Sequence, residues 1–135
     1  MKSVPTIEKY MTTAPHTIGS EQSLAKAEKM MADLRIRHLP VLNAGKLVGI
    51  LSDRDVKLVE SFKDVNPEEV KISEAFTPDV YMVSPKAPLG EVCAEMALHK
   101  YGSVLVVDNH KLVGIFTWVD ALEAFNELLD TRLKQ

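Results

Sequence analysis

The sequence predicts an α+β fold in which one β-α-β-β-α unit is used twice. Three observations carry that expectation. First, Lys46-Leu47-Val48-Gly49-Ile50 recurs as Lys111-Leu112-Val113-Gly114-Ile115, 65 residues later. Second, the match extends both ways without a gap: Ile7 falls on Ile72, Thr12 on Thr77, Leu24 on Leu89, Met31-Ala32 on Met96-Ala97, Val41 on Val106 and Asp55 on Asp120. From position 7 to 56, 12 of 50 aligned positions are identical, so a whole structural unit is repeated and not a short motif. Third, 135 residues with 46% hydrophobic and 26% charged side chains suit a globular chain, and neither disorder nor a membrane span fits.

The elements follow in order. Thr6 to Met11 reads as a short helical turn, ended by the breaker-rich Thr12-Thr13-Ala14-Pro15. His16-Thr17-Ile18 reads as a short strand. Leu24, Ala27, Met30-Met31 and Leu34 recur at helical spacing, with Ser20 and Ser23 as candidate caps. His38 to Asn43 and Lys46 to Leu51 flank a turn at Ala44-Gly45 and read as a hairpin. Val56, Val59 and Phe62 mark a second helix. The second copy repeats the order: Tyr81-Met82-Val83, a helix from Leu89 to Lys100, strands from Ser103 to Asp108 and Lys111 to Thr117, and a final helix from Trp118. The expected repeats are residues 5–63 and 72–133, joined by a polar connector at 64–71. A unit of about 55 residues with one small sheet cannot bury both faces of that sheet alone. The two sheets are therefore expected to pack on each other about a pseudo-twofold axis, with the helices outside.

Composition narrows the function. A formal net charge of −3 argues against nucleic acid as a main partner, because phosphate neutralisation needs a basic face. Met1-Lys2-Ser3-Val4-Pro5 has no apolar run behind its charge, so no secretory signal is expected and the cytoplasm is the expected compartment. The one cysteine, Cys93, excludes an internal disulfide and sits at a core spacing on its helix. His16, His38, His99 and His110 show no metal spacing, and no catalytic motif is present, so an enzyme is not expected.

Two features inside the strands ask for explanation. Gly49 and Gly114 sit mid-strand, where glycine marks close approach of another backbone or a ligand. Pro40 has no N–H for a ladder, so its strand needs an unpaired stretch.

After each glycine-bearing strand stands a Ser/Thr-x-x-Asp tetrad: Ser52-Asp53-Arg54-Asp55 and Thr117-Trp118-Val119-Asp120. One reading is a helix cap, with hydroxyl and carboxylate each satisfying an amide. The other is a ligand site, in which free amides and partial positive charge suit a phosphate and the aspartate accepts vicinal hydroxyls.

The Gly-x-Leu/Phe-Ser/Thr-x-x-Asp pattern, the small-apolar strands His38-Leu39-Pro40-Val41 and Ser103-Val104-Leu105-Val106, and the tandem plan together resemble the CBS domain pair, or Bateman module. The resemblance covers residues 5 to 130. It implies a regulatory module that binds AMP, ADP, ATP or S-adenosylmethionine in clefts between the copies, with no cofactor required. One cleft would take Ser52, Arg54 and Asp55 with Val80, Tyr81, Tyr101 and Gly102. The other would take Thr117 and Asp120 with Pro15, His16, Ile36, Arg37 and His38. The aspartate would hold the ribose, and the main chain around Tyr81 or His16 would read the adenine edge.

The clefts are not expected to be equivalent, because Gly102-Ser103 in one copy stands where the other has Arg37-His38. Leu122, Phe125, Leu129 and Leu133 make an apolar stripe on the last helix, a candidate homodimer surface. The regulated enzyme or transporter would be a separate chain, with no direct membrane insertion of this one. Two rivals stay open: a ligand-free interaction scaffold, and a metal or other small-ligand sensor needing His16 and His38 to converge.

Overall fold

A computed structural model describes residues 4–133 and, in the last helix, side chains as far as residue 131. Leu133, the end of the expected stripe, lies outside the described side chains. The architecture is α+β, with two sheets and four helices. The elements are β1 (Thr12–Thr13), β2 (Ile18–Gly19), α1 (Leu24–Leu34), β3 (His38–Asn43), β4 (Lys46–Ser52), α2 (Asp53–Glu60), β5 (Met82–Val83), α3 (Leu89–His99), β6 (Ser103–Asp108), β7 (Lys111–Thr117) and α4 (Trp118–Leu133). Short 3-10 turns at Ile7–Lys9 and Ile72–Glu74 open the two repeats.

The chain forms two compact units, and they are cut differently from the sequence repeats. One unit spans His16–Val80; the other joins the residues up to Pro15 to those from Tyr81 on. Each repeat therefore lends its first segment to the body of the other. The His16–Val80 unit holds a sheet of order β2-β3-β4, with Thr77 bridged to Ile50 along the β4 edge. Its core gathers Ile18, Leu24, Ala27, Met31, Leu39, Val41, Leu51, Val56 and Ile72. The other unit holds a sheet of order β1-β7-β6-β5. Its core gathers Ile7, Leu89, Val92, Met96, Val104, Val106, Phe116 and Ala124.

Local chemistry accounts for the elements. Ser23 caps α1 by accepting the Lys26 N–H at 3.1 Å. Ser20, the other cap candidate, is instead buried, its main chain bonded to Leu42 and Ser73. Both hairpins close in two residues with positive φ, Ala44-Gly45 and Asn109-His110. That backbone matches the right-handed twist of the flanking strands. Several boundaries differ from the sequence expectation; α2, expected to reach Phe62, ends at Glu60 and leaves Phe62 exposed. The strand expected at His16-Thr17-Ile18 forms at Ile18–Gly19, starting two residues later and ending one later. Thr12–Thr13, expected as a break, forms β1 because the exposed edge of β7 offers partners at Gly114 and Ile115.

The strand glycines now have a physical reason. A Cβ on Gly49 would run into the Thr77 carbonyl and the Phe76 ring, and one on Gly114 into the Met11 side chain. The close neighbour is therefore the segment lent by the other repeat. Pro40 is explained by the same contact. Ile50, its partner on β4, turns both main-chain groups to Thr77 (2.8 and 3.0 Å), so no ladder bond is asked of Pro40 on that side. On the other side β2 pairs with β3 only at Val41 and Leu42.

Candidate functional site

Each tetrad closes on itself at the N-terminus of a helix. In the His16–Val80 unit the Ser52 hydroxyl accepts the Asp55 N–H (3.1 Å), while the Asp55 carboxylate accepts the Ser52 N–H (2.9 Å). In the other unit the Asp120 carboxylate accepts the Thr117 N–H (2.9 Å), and the Thr117 hydroxyl accepts the Asp120 N–H (3.4 Å). Both are reciprocal capping boxes, so the cap reading is realised in full. All four of these residues are half-buried.

Two further residues complete the sites, and sequence reasoning assigned them no role. The Thr77 hydroxyl donates to both Asp55 oxygens at 3.3 and 3.2 Å, and the Thr12 hydroxyl donates to Asp120 at 3.4 Å. Each threonine comes from the segment that the opposite repeat lends. Their signal was present in the sequence: Thr12 and Thr77 occupy the same place in the two copies.

The residues expected for each cleft are divided between the units. Ser52, Arg54, Asp55 and Val80 share a unit with His16, Ile36, Arg37 and His38; Thr117 and Asp120 share one with Pro15, Tyr81, Tyr101 and Gly102. Within each unit, the tetrad sits beside the loop of its own repeat. The Asp53 N–H donates to the Arg37 carbonyl (2.8 Å), and His38 lies opposite Ser52 across the hairpin. Likewise the Trp118 N–H donates to the Gly102 carbonyl (3.3 Å), and Ser103 lies opposite Thr117.

Electrostatics separate the two surroundings. Burial lowers the pKa of His38 below its ordinary value, with Arg37 adding to the effect and Asp55 and Asp53 opposing it. The fold therefore disfavours the charged imidazole. Asp53 pairs with Lys57 across one turn at 3.0 Å, and Arg54 is exposed. The Thr117 tetrad has Trp118 and Val119 at those two positions, both exposed, so Trp118 is not a core residue. Near that tetrad's loop, three rings lie in a row: Tyr81 and Tyr101 are tilted to one another at 5.5 Å, and Tyr101 stacks on His99 at 5.1 Å. Burial, with Glu95 and Glu91 nearby, pushes the Tyr81 hydroxyl up.

The main chain before β2 and β5 also differs. The Tyr81 carbonyl accepts the Leu105 N–H at 3.0 Å. The position matching Leu105 in the first repeat is Pro40, which has no N–H, so the His16 carbonyl lacks that donor. Burial pushes the Cys93 thiol up, which fits an inert, partly buried side chain. Among the described residues no group of three or more His, Cys, Asp or Glu side chains gathers as a metal site. No helix among them is long and apolar enough to cross a membrane.

Known proteins match along almost all of the chain. The family model of the CBS domain matches twice, over residues 7–60 and 72–127. The A-adding tRNA nucleotidyltransferase of Aquifex aeolicus is 35% identical over 128 residues, which is 92% of this chain and 15% of that enzyme. The chain thus spans a small part of that relative. Among solved structures, a Vibrio cholerae protein described as an acetoin utilization protein (AcuB) superposes with a TM-score of 0.87 at 34% identity, covering 98% of each chain. The CBS domain pair of protein MJ0100, solved with 5-methylthioadenosine and S-adenosyl-L-methionine, superposes with a TM-score of 0.83 at 27% identity, covering 93% of this chain and 98% of that one.

Proposed function

The chain belongs to the CBS domain family, whose domain it carries twice, and from that premise we propose that it is a regulatory module for adenosine-containing ligands. Ligand occupancy at the Ser52–Asp55 and Thr117–Asp120 tetrads would modulate a separate protein, an enzyme or a transporter, in the cytoplasm. The observation that carries this reading is the repeated capping box with a half-buried carboxylate. A carboxylate with spare lone pairs accepts both hydroxyls of a ribose, and the partial positive charge of a helix N-terminus favours a phosphate. The base would be read by main chain near His16, whose carbonyl lacks the Leu105-type donor, and by the Tyr81 and Tyr101 rings. A similar pair holding two adenosine compounds supports the ligand class.

Titration calorimetry of the full chain with AMP, ADP, ATP and S-adenosylmethionine tests the proposal. Saturable binding of at least one compound is expected, weakened roughly ten- to a hundredfold by Asp120→Asn or Asp55→Asn. Absence of heat with all four would overturn it.

One observation favours a second reading. Both aspartates already complete caps, as a ligand-free interaction scaffold would require. On α4, Trp118, Leu122, Phe125 and Leu129 follow one another at helical spacing and are exposed, which suits a homodimer surface under either reading. The two readings part at calorimetry, because the scaffold binds nothing.

A further inference from the structure

We infer that Thr77 and Thr12 are built-in competitors for the tetrad carboxylates, positioning residues that a ligand's diol has to displace. The inference rests on the proposed reading of Asp55 and Asp120 as ribose acceptors and adds to it what holds those carboxylates when no ribose is present.

Lone pairs decide the matter. A carboxylate offers about four acceptor positions. At Asp55 one is used by the Ser52 N–H, and the Thr77 proton lies between the two oxygens at 3.3 and 3.2 Å. A vicinal diol donates one hydroxyl to each oxygen, so it asks for the side that Thr77 covers. At Asp120 the division is plainer. One oxygen receives the amide and hydroxyl of Thr117; the other receives Thr12 alone. Both threonines are exposed, so the carboxylate face they occupy is the face a solute reaches.

The threonines also sit where displacement has consequences. Thr77 is tied to Ile50 through both main-chain groups, and Thr12 pairs with β7. Two residues further on, Ala14 and Asp79 hold left-handed backbone with φ of 47° and 56°. Such conformations are costly for residues with a Cβ and persist where the surroundings enforce them. Immediately after them, at Pro15–His16 and Val80–Tyr81, the chain passes from one unit to the other. A threonine freed by ligand would therefore relax the segment that connects the units, which links occupancy to the rest of the molecule.

The test pairs Thr77→Val, which keeps the shape and loses the hydroxyl, with Thr77→Ser, which keeps the hydroxyl. Calorimetry with adenosine as the probe should show Val tightening binding about three- to tenfold and Ser close to the parent. Thr12→Val should give a smaller gain, because its bond is longer at 3.4 Å. Unchanged or weaker adenosine binding by the Val variant overturns the competition. Amide hydrogen exchange of the ligand-free protein is read alongside. Positions 50 and 77 should exchange several-fold faster in Thr77→Val than in Thr77→Ser; equal rates overturn the tie itself. If adenosine binds neither parent nor variant, the ribose reading falls and the competition with it, while an exchange difference would still report the hydroxyl tie.

Discussion

Around Ser52 the tetrad has Arg37, His38 and Arg54 for neighbours, whereas Gly102, Ser103 and Val119 hold those places around Thr117. The reciprocal caps, the threonine donor and the left-handed residue two steps beyond it are duplicated. The rim is not. Backbone geometry was therefore copied, and the side chains that would meet a ligand have since diverged in charge and shape. Pro40 against Leu105 shows the same divergence in the main chain, since one substitution removes the donor from the carbonyl ahead of the first strand.

The strand glycines offer the largest handle on this comparison. Gly49→Ala sets a methyl against the Thr77 carbonyl, which is held by its own bonds, and should cost about 2–3 kcal/mol. Gly114→Ala meets the thioether of Met11, which can swing aside, and should cost about 1 kcal/mol. Urea denaturation of both variants measures the difference. Equal losses would mean that the two lent segments are held with the same rigidity.

Next come the caps. Asp55→Ala and Asp120→Ala each remove a carboxylate that satisfies an amide, at a cost of about 1 kcal/mol. Asp120 should be the costlier of the two, because it receives three donors, the Thr117 amide and hydroxyl and the Thr12 hydroxyl, where Asp55 receives the Ser52 amide and one shared Thr77 proton. Thermal melts would show it, and a larger loss at Asp55 would contradict the donor count. The crossing segments give a smaller effect of opposite sign. Ala14→Gly should stabilise by about 0.5–1 kcal/mol, and Asp79→Gly by less, since aspartate tolerates left-handed backbone better than alanine. Either variant losing stability would show that the backbone strain is not what limits these positions.

The smallest effect is electrostatic. The fold disfavours charged His38, so as pH falls through the ordinary imidazole value of 6.5 the unfolded chain takes up its proton first. Stability is complete above that value and declines below it. His38→Gln should flatten the acid limb between about pH 6.5 and 5. Ser103, at the matching place in the second repeat, contributes no such slope. Denaturant midpoints across that range, unchanged by the substitution, would remove His38 from the account.

Much of the fold was legible because the repeat is a sequence property. The offset of 65 located both hairpins and both tetrads, and helical spacing located α1 and α3. The glycines were read correctly as close-approach points, but their partner could not be named. Thr12 and Thr77 had the same status: identical in the two copies, without an evident role. In both cases the missing partner lies far along the chain. Thr12 meets Asp120 across 108 positions, and no local pattern of hydrogen-bonding or apolar residues encodes so distant a pairing.

What the amino-acid order determined by itself is the local frame: two copies of one unit, its strands, helices and two-residue turns, and a hydroxyl and carboxylate at each helix start. These follow from periodicity, capping chemistry and turn residues, which act over a few positions. Only the tertiary structure decided that each repeat finishes the other's sheet, that a threonine answers each aspartate, and that the compact units differ from the repeats. Those outcomes depend on which exposed strand edges remain to be paired once the local elements have formed, and open edges are satisfied in space without regard to sequence order.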